Sequence, residues 1–142
     1  ELIKQENKKE VGILGLSFKK GTDDIRGNPA LFVIDRLVSE GYKVKIYDPI
    51  VKPSTLEPVE KSYRQRIYDP VAKINDLKKI IPDIELMLCS LEDVLKNDTI
   101  VITNNDTAFR DSAKKLKKSQ TLIDLQGIIN PAEIQAKYKR LC

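Results

Sequence analysis

The chain of 142 residues has no histidine and no tryptophan, one methionine and two cysteines. Without histidine, the commonest metal ligand and the side chain that titrates nearest neutral pH are both missing, so no metal site is expected. Cys89 and Cys142 are too few for a disulfide framework, and a reducing cytoplasm is the default compartment. No apolar run approaches the roughly 20 residues of a membrane helix, and no secretory pattern opens the chain. Neither membrane insertion nor export is therefore expected. Aromatic residues make up only 6%, and none interleaves with Lys8-Lys9, Lys114-Lys115 or Lys117-Lys118 as a base-stacking platform requires. The net charge of +4 thus reads as solvated helix faces and a basic lead-in, with no nucleic-acid partner. The dinucleotide fingerprint Gly-x-Gly-x-x-Gly is also absent. Gly12 and Gly15 have the wrong spacing for it and read as close-packing positions.

What is present is a globular composition, 41% apolar and 32% charged, of a size that fits one domain around one core. Apolar, β-branched runs predict strands at 11–17, 43–47, 85–88, 99–103 and 121–125. Helices are predicted at 30–40, 71–81, from Ser90 as N-cap with Asp93 in the capping-box position, at 108–116 and at 131–141. Gly41 closes the helix at 30–40 in the usual C-terminal position. Strands that alternate with helices predict an α/β fold: a Rossmann-like, doubly wound, mostly parallel five-stranded sheet with helices on both faces. Pro49, Pro53, Pro58, Pro70 and Pro82 break this rhythm, and a long, poorly ordered excursion is expected at 50–70. Residues 1–10 read as a lead-in and 11–142 as the domain. The first residue is Glu rather than Met, so the chain is expected to be part of a longer polypeptide.

The most informative stretch is Gly15-Leu-Ser-Phe-Lys-Lys-Gly-Thr-Asp-Asp-Ile-Arg-Gly-Asn-Pro29. It joins a strand to a helix, the place where α/β proteins hold phosphates on unpaired helix-start N–H groups. Asn28 suits the N-cap and Pro29 the first helical position. Lys19, Lys20 and Arg26 surround that start. Arginine offers a planar fork for phosphate and lysine a mobile charge. The plainer alternative is surface pairing of Lys19 and Arg26 with Asp23 and Asp24, worth at most about 1 kcal/mol each. Thr22, Asp23 and Asp24 read as shaping the loop. Asp48, before Pro49, reads as a turn residue rather than a ribose ligand. Asp106 reads as a helix cap, and Asn104, at a strand's carboxyl end, is a lesser candidate for base contact. Cys89 reads as a packing residue, with a reactive thiol near a helix start as the alternative.

The same stretch resembles the signature of the C-terminal domain of UDP-glucose/GDP-mannose dehydrogenases. The similarity continues through Glu40-Gly-Tyr-Lys-Val-Lys-Ile-Tyr-Asp-Pro49 and returns at Ser90-Leu-Glu-Asp-Val and Thr121-Leu-Ile-Asp-Leu125. That resemblance implies one domain of an NAD-dependent nucleotide-sugar 6-dehydrogenase. The N-terminal and central domains of the same polypeptide would supply the glycine-rich NAD site and the nucleophilic cysteine. This chain would then hold the nucleotide sugar, carry no catalytic residue of its own and be inactive alone. The whole enzyme is expected to be a homo-oligomer.

Carried over residue by residue, the resemblance makes Phe18 and Lys19 substrate-binding. It makes Arg26 the arginine that reaches NAD held by the N-terminal domain. UDP-glucose enzymes place an arginine shortly after the aspartate matching Asp124. Here Leu125-Gln126-Gly127 follows instead, with Gln126 able to bond a base or ribose. The wording of the loop leans toward GDP-mannose enzymes, with UDP-N-acetylhexosamine enzymes as relatives. The alternative from another class is a non-catalytic nucleotide-binding module that regulates or scaffolds.

Overall fold

The computed structural model describes residues 1–17, 28–51, 81 and 83–141. Its centre is a five-stranded, wholly parallel sheet. The strands are β1 (Glu10–Leu14), β2 (Lys43–Tyr47), β3 (Thr99–Ile102), β4 (Thr121–Asp124) and β5 (Lys137–Arg140), in the spatial order β2-β1-β3-β4-β5. The helices are α1 (Ala30–Ser39), α2 (Ile84–Met87), α3 (Leu91–Leu95) and α4 (Ala108–Lys114), with 3₁₀ turns at Lys4–Glu6 and Pro131–Glu133.

Strands covered on both faces must be apolar on both, and β3 and β4 are buried throughout. Alternate residues sort into two layers. Val11, Ile13, Val44, Ile46, Val101 and Ile123 pack with Leu31, Ile34 and Leu37 of α1. Leu14, Ile100, Ile102 and Leu122 pack on the other face with Val94, Phe109, Ala113 and Leu116. Helices therefore cover both faces, as a doubly wound sheet requires. At Gly12 a Cβ would lie 2.7 Å from the Val94 carbonyl oxygen, so α3 approaches β1 as closely as backbone allows.

The first βαβ unit forms where its sequence pattern puts it. In α1, Ala30, Leu31, Ile34 and Leu37 are buried, one stripe at helical spacing. Gly41 takes φ +80 after the helix, and the Tyr42 N–H donates to the Leu37 carbonyl at 2.9 Å. Ser90 caps α3 by accepting the Asp93 N–H at 3.2 Å.

Two predicted elements are overturned. The run 85–88 is not a strand: Ile84–Met87 is a helix, and only Leu88 keeps a β-type bridge, to Ile46. Nor does a helix fill 131–141; a 3₁₀ turn at Pro131–Glu133 leads into β5, which completes the sheet. Its charged Lys-Tyr-Lys-Arg sequence suits an edge strand. Lys137 and Lys139 bind Glu6 on one face, at 3.3 and 2.5 Å, while the Tyr138 hydroxyl donates to Asp124 on the other at 3.2 Å. The predicted helix at 71–81 and most of the excursion at 50–70 lie outside the described residues.

Candidate functional site

In the order β2-β1-β3, the chain runs from β1 to β2 on one side and later returns to β3 on the other. The carboxyl ends of β1 and β3 therefore flank a topological switch point, where open α/β sheets hold ligands. The loop between β1 and α1 leaves and re-enters there.

Both ends of that loop are pinned to each other. The Asn28 side-chain amide donates to the Leu16 carbonyl at 2.7 Å and to the Ser17 carbonyl at 3.3 Å. Its amide oxygen accepts the Ala30 N–H at 2.9 Å. Asn28 is 3% exposed, so these bonds are made out of water and a missing partner would be costly. Asn28 thus opens the helix, as its type predicts, and also closes the loop.

Asp48 fixes the same point from β2. One carboxylate oxygen accepts the N–H groups of Leu16 and Ser17 at 2.8 and 2.9 Å and the Ser17 hydroxyl at 3.0 Å. The other accepts the N–H groups of Ile50 and Val51, each at 2.9 Å. Burial alone would raise its pKa. The backbone N–H groups of Ser17, Val51, Ile50 and Leu16 outweigh that and hold it below its ordinary value. Asp48 is the turn residue that the sequence suggests, but its bonds to Leu16 and Ser17 cross between strands and leave no trace in local sequence.

From β3, the Asn104 amide donates to the Ser17 hydroxyl at 3.2 Å, and its oxygen accepts the Asp106 N–H at 3.1 Å. Gly15 has φ +101, and a Cβ there would lie 2.6 Å from Asn104 Cγ. Both the dihedral and the contact demand glycine. The Thr103 hydroxyl donates to the carbonyls of Leu14 and Gly15. Asn104 is therefore committed to the frame of the loop. Asp106 accepts the Ala108 N–H at 3.0 Å, the capping role that its position predicts.

At the end of β4, Asp124 accepts the N–H groups of Gln126, Gly127 and Ile129 at 3.0, 2.8 and 2.9 Å. Gln126 donates its side-chain amide to the Thr103 carbonyl at 3.0 Å, so the residue just after Leu125 stitches the end of β4 to β3. Cys89 is half-buried against β2, where its N–H donates to the Ile46 carbonyl at 2.9 Å and burial pushes its thiol pKa up despite Lys45 nearby. A raised thiol pKa leaves less thiolate, which favours the packing reading of Cys89 over the reactive one.

Phe18, Lys19 and Arg26, the residues predicted to touch ligand, lie outside the described residues, as do Lys20 and Thr22–Asp24. The frame around them is nevertheless informative about a dinucleotide. The Leu16 and Ser17 N–H groups would be the first donors to a pyrophosphate in an ordinary Rossmann turn, and here the Asp48 carboxylate takes both. A second anion against those amides would meet a buried negative charge, so the described edge does not fit NAD held in that manner.

Comparison with known proteins agrees with this architecture. Residues 12–131 match the model of the UDP-glucose/GDP-mannose dehydrogenase family, UDP binding domain. The whole chain is 34% identical to GDP-mannose 6-dehydrogenase of Pseudomonas putida and 31% identical to that of Pseudomonas aeruginosa, and covers 30% of each of those proteins. UDP-glucose 6-dehydrogenase of Rickettsia bellii is 27% identical over 90% of the chain and 26% of its own length. Among solved structures, a ternary complex of GDP-mannose dehydrogenase from Pseudomonas aeruginosa superposes with a TM-score of 0.68 at 30% identity, over 96% of this chain and 29% of that one. UDP-glucose dehydrogenase from Pyrobaculum islandicum shares the fold, with a TM-score of 0.62 at 17% identity over 97% of this chain and 27% of that one. The chain spans about 30% of the length of the curated relatives that it matches. It belongs to the UDP-glucose/GDP-mannose dehydrogenase family and corresponds to the C-terminal domain of those enzymes.

Proposed function

We propose that this chain is the nucleotide-sugar-binding domain of an NAD-dependent nucleotide-sugar 6-dehydrogenase, with GDP-mannose as the favoured substrate. The observation that carries this reading is the pinned loop at the switch point. Asn28, Asp48 and Asn104 fix both ends of a segment whose sequence holds Lys19, Lys20 and Arg26. Phe18 and Lys19 are assigned to the nucleotide sugar, and Arg26 to NAD held by the N-terminal domain of the same polypeptide. In such enzymes the sugar C6 alcohol is oxidised to a carboxylate in two hydride transfers to NAD. The part of this chain is to bind and orient the nucleotide sugar, and the segments that hold NAD and the nucleophilic cysteine lie elsewhere in the polypeptide. A homo-oligomer working in the cytoplasm is part of the same proposal. The lean toward GDP-mannose rests on the loop wording and on the identities of the relatives above.

The test is NADH formation by the complete polypeptide against GDP-mannose, UDP-glucose and UDP-N-acetylhexosamines. Turnover with GDP-mannose exceeding that with the UDP-sugars is the expected result, with no turnover by the isolated chain. Nucleotide-sugar binding by the complete protein without NADH formation from any of them would favour a non-catalytic module instead.

A further inference from the structure

Arg140 ends β5 and pairs in register with Asp124 at the carboxyl edge of the sheet. Its guanidinium lies directly on the backbone of Gly127. A Cβ at Gly127 would sit 2.6 Å from Nη2, 2.7 Å from Cζ and 2.9 Å from Nε, and Gly127 has φ +67. The dihedral favours glycine, and with no Cβ at this position the exposed guanidinium can lie flat against the turn after β4. Among the described residues the guanidinium has no hydrogen-bond or ion-pair partner. The Asp124 carboxylate beside it is already filled by the N–H groups of Gln126, Gly127 and Ile129 and by the Tyr138 hydroxyl. Several other cations are paired with carboxylates, Arg36 with Glu40, Lys114 with Glu133, and Lys137 and Lys139 with Glu6.

A planar fork lying exposed on a glycine turn, with no carboxylate paired to it among the described residues, is free to meet a flat ligand edge with paired acceptors. Its position selects which part of the ligand. From β1, where Ser17 and Asn28 hold the loop, to β5 is three strand spacings, about 14 Å. That distance is too long for one group to be shared between the two places. It is comparable with the span from the sugar to the base of an extended nucleoside diphosphate sugar.

We infer that Arg140 reads the base of the nucleotide sugar, donating to the O6 and N7 acceptors of guanine from its place on Gly127. Guanine presents those acceptors side by side, as an arginine fork requires, and uracil has no such pair. The inference rests on the reading above that the ligand is a nucleoside diphosphate sugar, and it adds the group that selects guanine.

The experiment measures binding of GDP, 7-deaza-GDP and UDP to the complete protein and to its Arg140→Ala and Arg140→Lys variants. For wild type, loss of the N7 acceptor in 7-deaza-GDP should weaken binding relative to GDP. Arg140→Ala should weaken GDP at least about tenfold and leave UDP within about twofold. Arg140→Lys, which keeps the charge and its donors but loses the planar fork, should weaken GDP less than Arg140→Ala does and also leave UDP within about twofold. Equal weakening of GDP and UDP would overturn the inference by making Arg140 a phosphate contact. Unchanged GDP binding in both variants would overturn it by making Arg140 a solvated charge. If wild type binds neither nucleotide, the inference falls together with the functional reading. If wild type binds GDP and Arg140→Ala binds it equally well, the inference alone falls.

Discussion

Asp48 holds Ser17 by two bonds to one carboxylate oxygen, from the backbone N–H at 2.9 Å and from the hydroxyl at 3.0 Å. This pair joins the end of β2 to the residue at which the β1–α1 loop departs. It is charge-assisted and buried, so it ties the start of the loop to the sheet. Replacing the carboxylate with an amide puts a donor where one oxygen accepts N–H groups. Asp48→Asn should cost about 2–3 kcal/mol in urea denaturation. A cost below about 0.5 kcal/mol would mean that water takes over these bonds.

Gly15 and Gly41 both have positive φ, but their surroundings differ. A Cβ at Gly15 meets Asn104 at 2.6 Å, whereas one at Gly41 meets nothing within 4 Å. Gly41→Ala should cost only the dihedral, about 1–2 kcal/mol. Gly15→Ala adds a clash in a packed site and should cost about 2–4 kcal/mol. Parallel thermal melts check the order, and equal losses would remove the argument for close packing at Gly15.

Glu6 carries a stability term that depends on pH. Its carboxylate accepts the Thr121 hydroxyl at 2.7 Å and bridges Lys137 and Lys139, tying the N-terminal segment to β4 and β5. The Lys139 bond and then the Thr121 bond outweigh burial and bring its pKa down to about 2. A carboxylate depressed in the folded state stabilises fully above its unfolded value, and that contribution is lost as pH falls through about 2. Glu6→Gln should cost about 1–3 kcal/mol at pH 7 and much less near pH 2. Chemical denaturation at both pH values is the check, and a cost that does not change with pH would contradict the assignment.

Lys19 and Arg26 are predicted to act on ligands rather than on the fold. In the complete enzyme, Lys19→Ala and Arg26→Ala should each lower kcat/KM about tenfold or more. Their thermal midpoints should stay within about 2 °C of wild type, since neither residue is assigned a part in the fold. Near-normal kinetics in both variants would return these cations to surface pairing with Asp23 and Asp24.

Local signals made the first half of the sheet legible. A β-branched run, an Asn-Pro helix start, a single apolar stripe and a closing glycine specify β1, α1 and β2 without help from distant residues. The run 85–88 misleads because a short apolar stretch has no measurable period. Ile84 is buried while Leu86 is 84% exposed, a helical turn that such a stretch does not announce. The last strand misleads for the opposite reason, since the sequence from Ala132 to Arg140 is rich in helix formers. Its pairing is decided by Glu6 and Asp124, and tertiary contacts of that kind override propensity. In the site, Asn28 and Asp106 were legible as caps. The reach of Asp48 to Ser17 and the place of Arg140 on Gly127 were not, because each depends on which strands become neighbours.

The most direct test is a crystal structure of the complete protein with the nucleotide sugar and NAD bound. The predicted result is a diphosphate lying along the carboxyl ends of β1 and β3, with Lys19 Nζ within about 3.2 Å of a ligand oxygen. A nucleotide sugar seated away from the edge between Ser17 and Asn28 would contradict it.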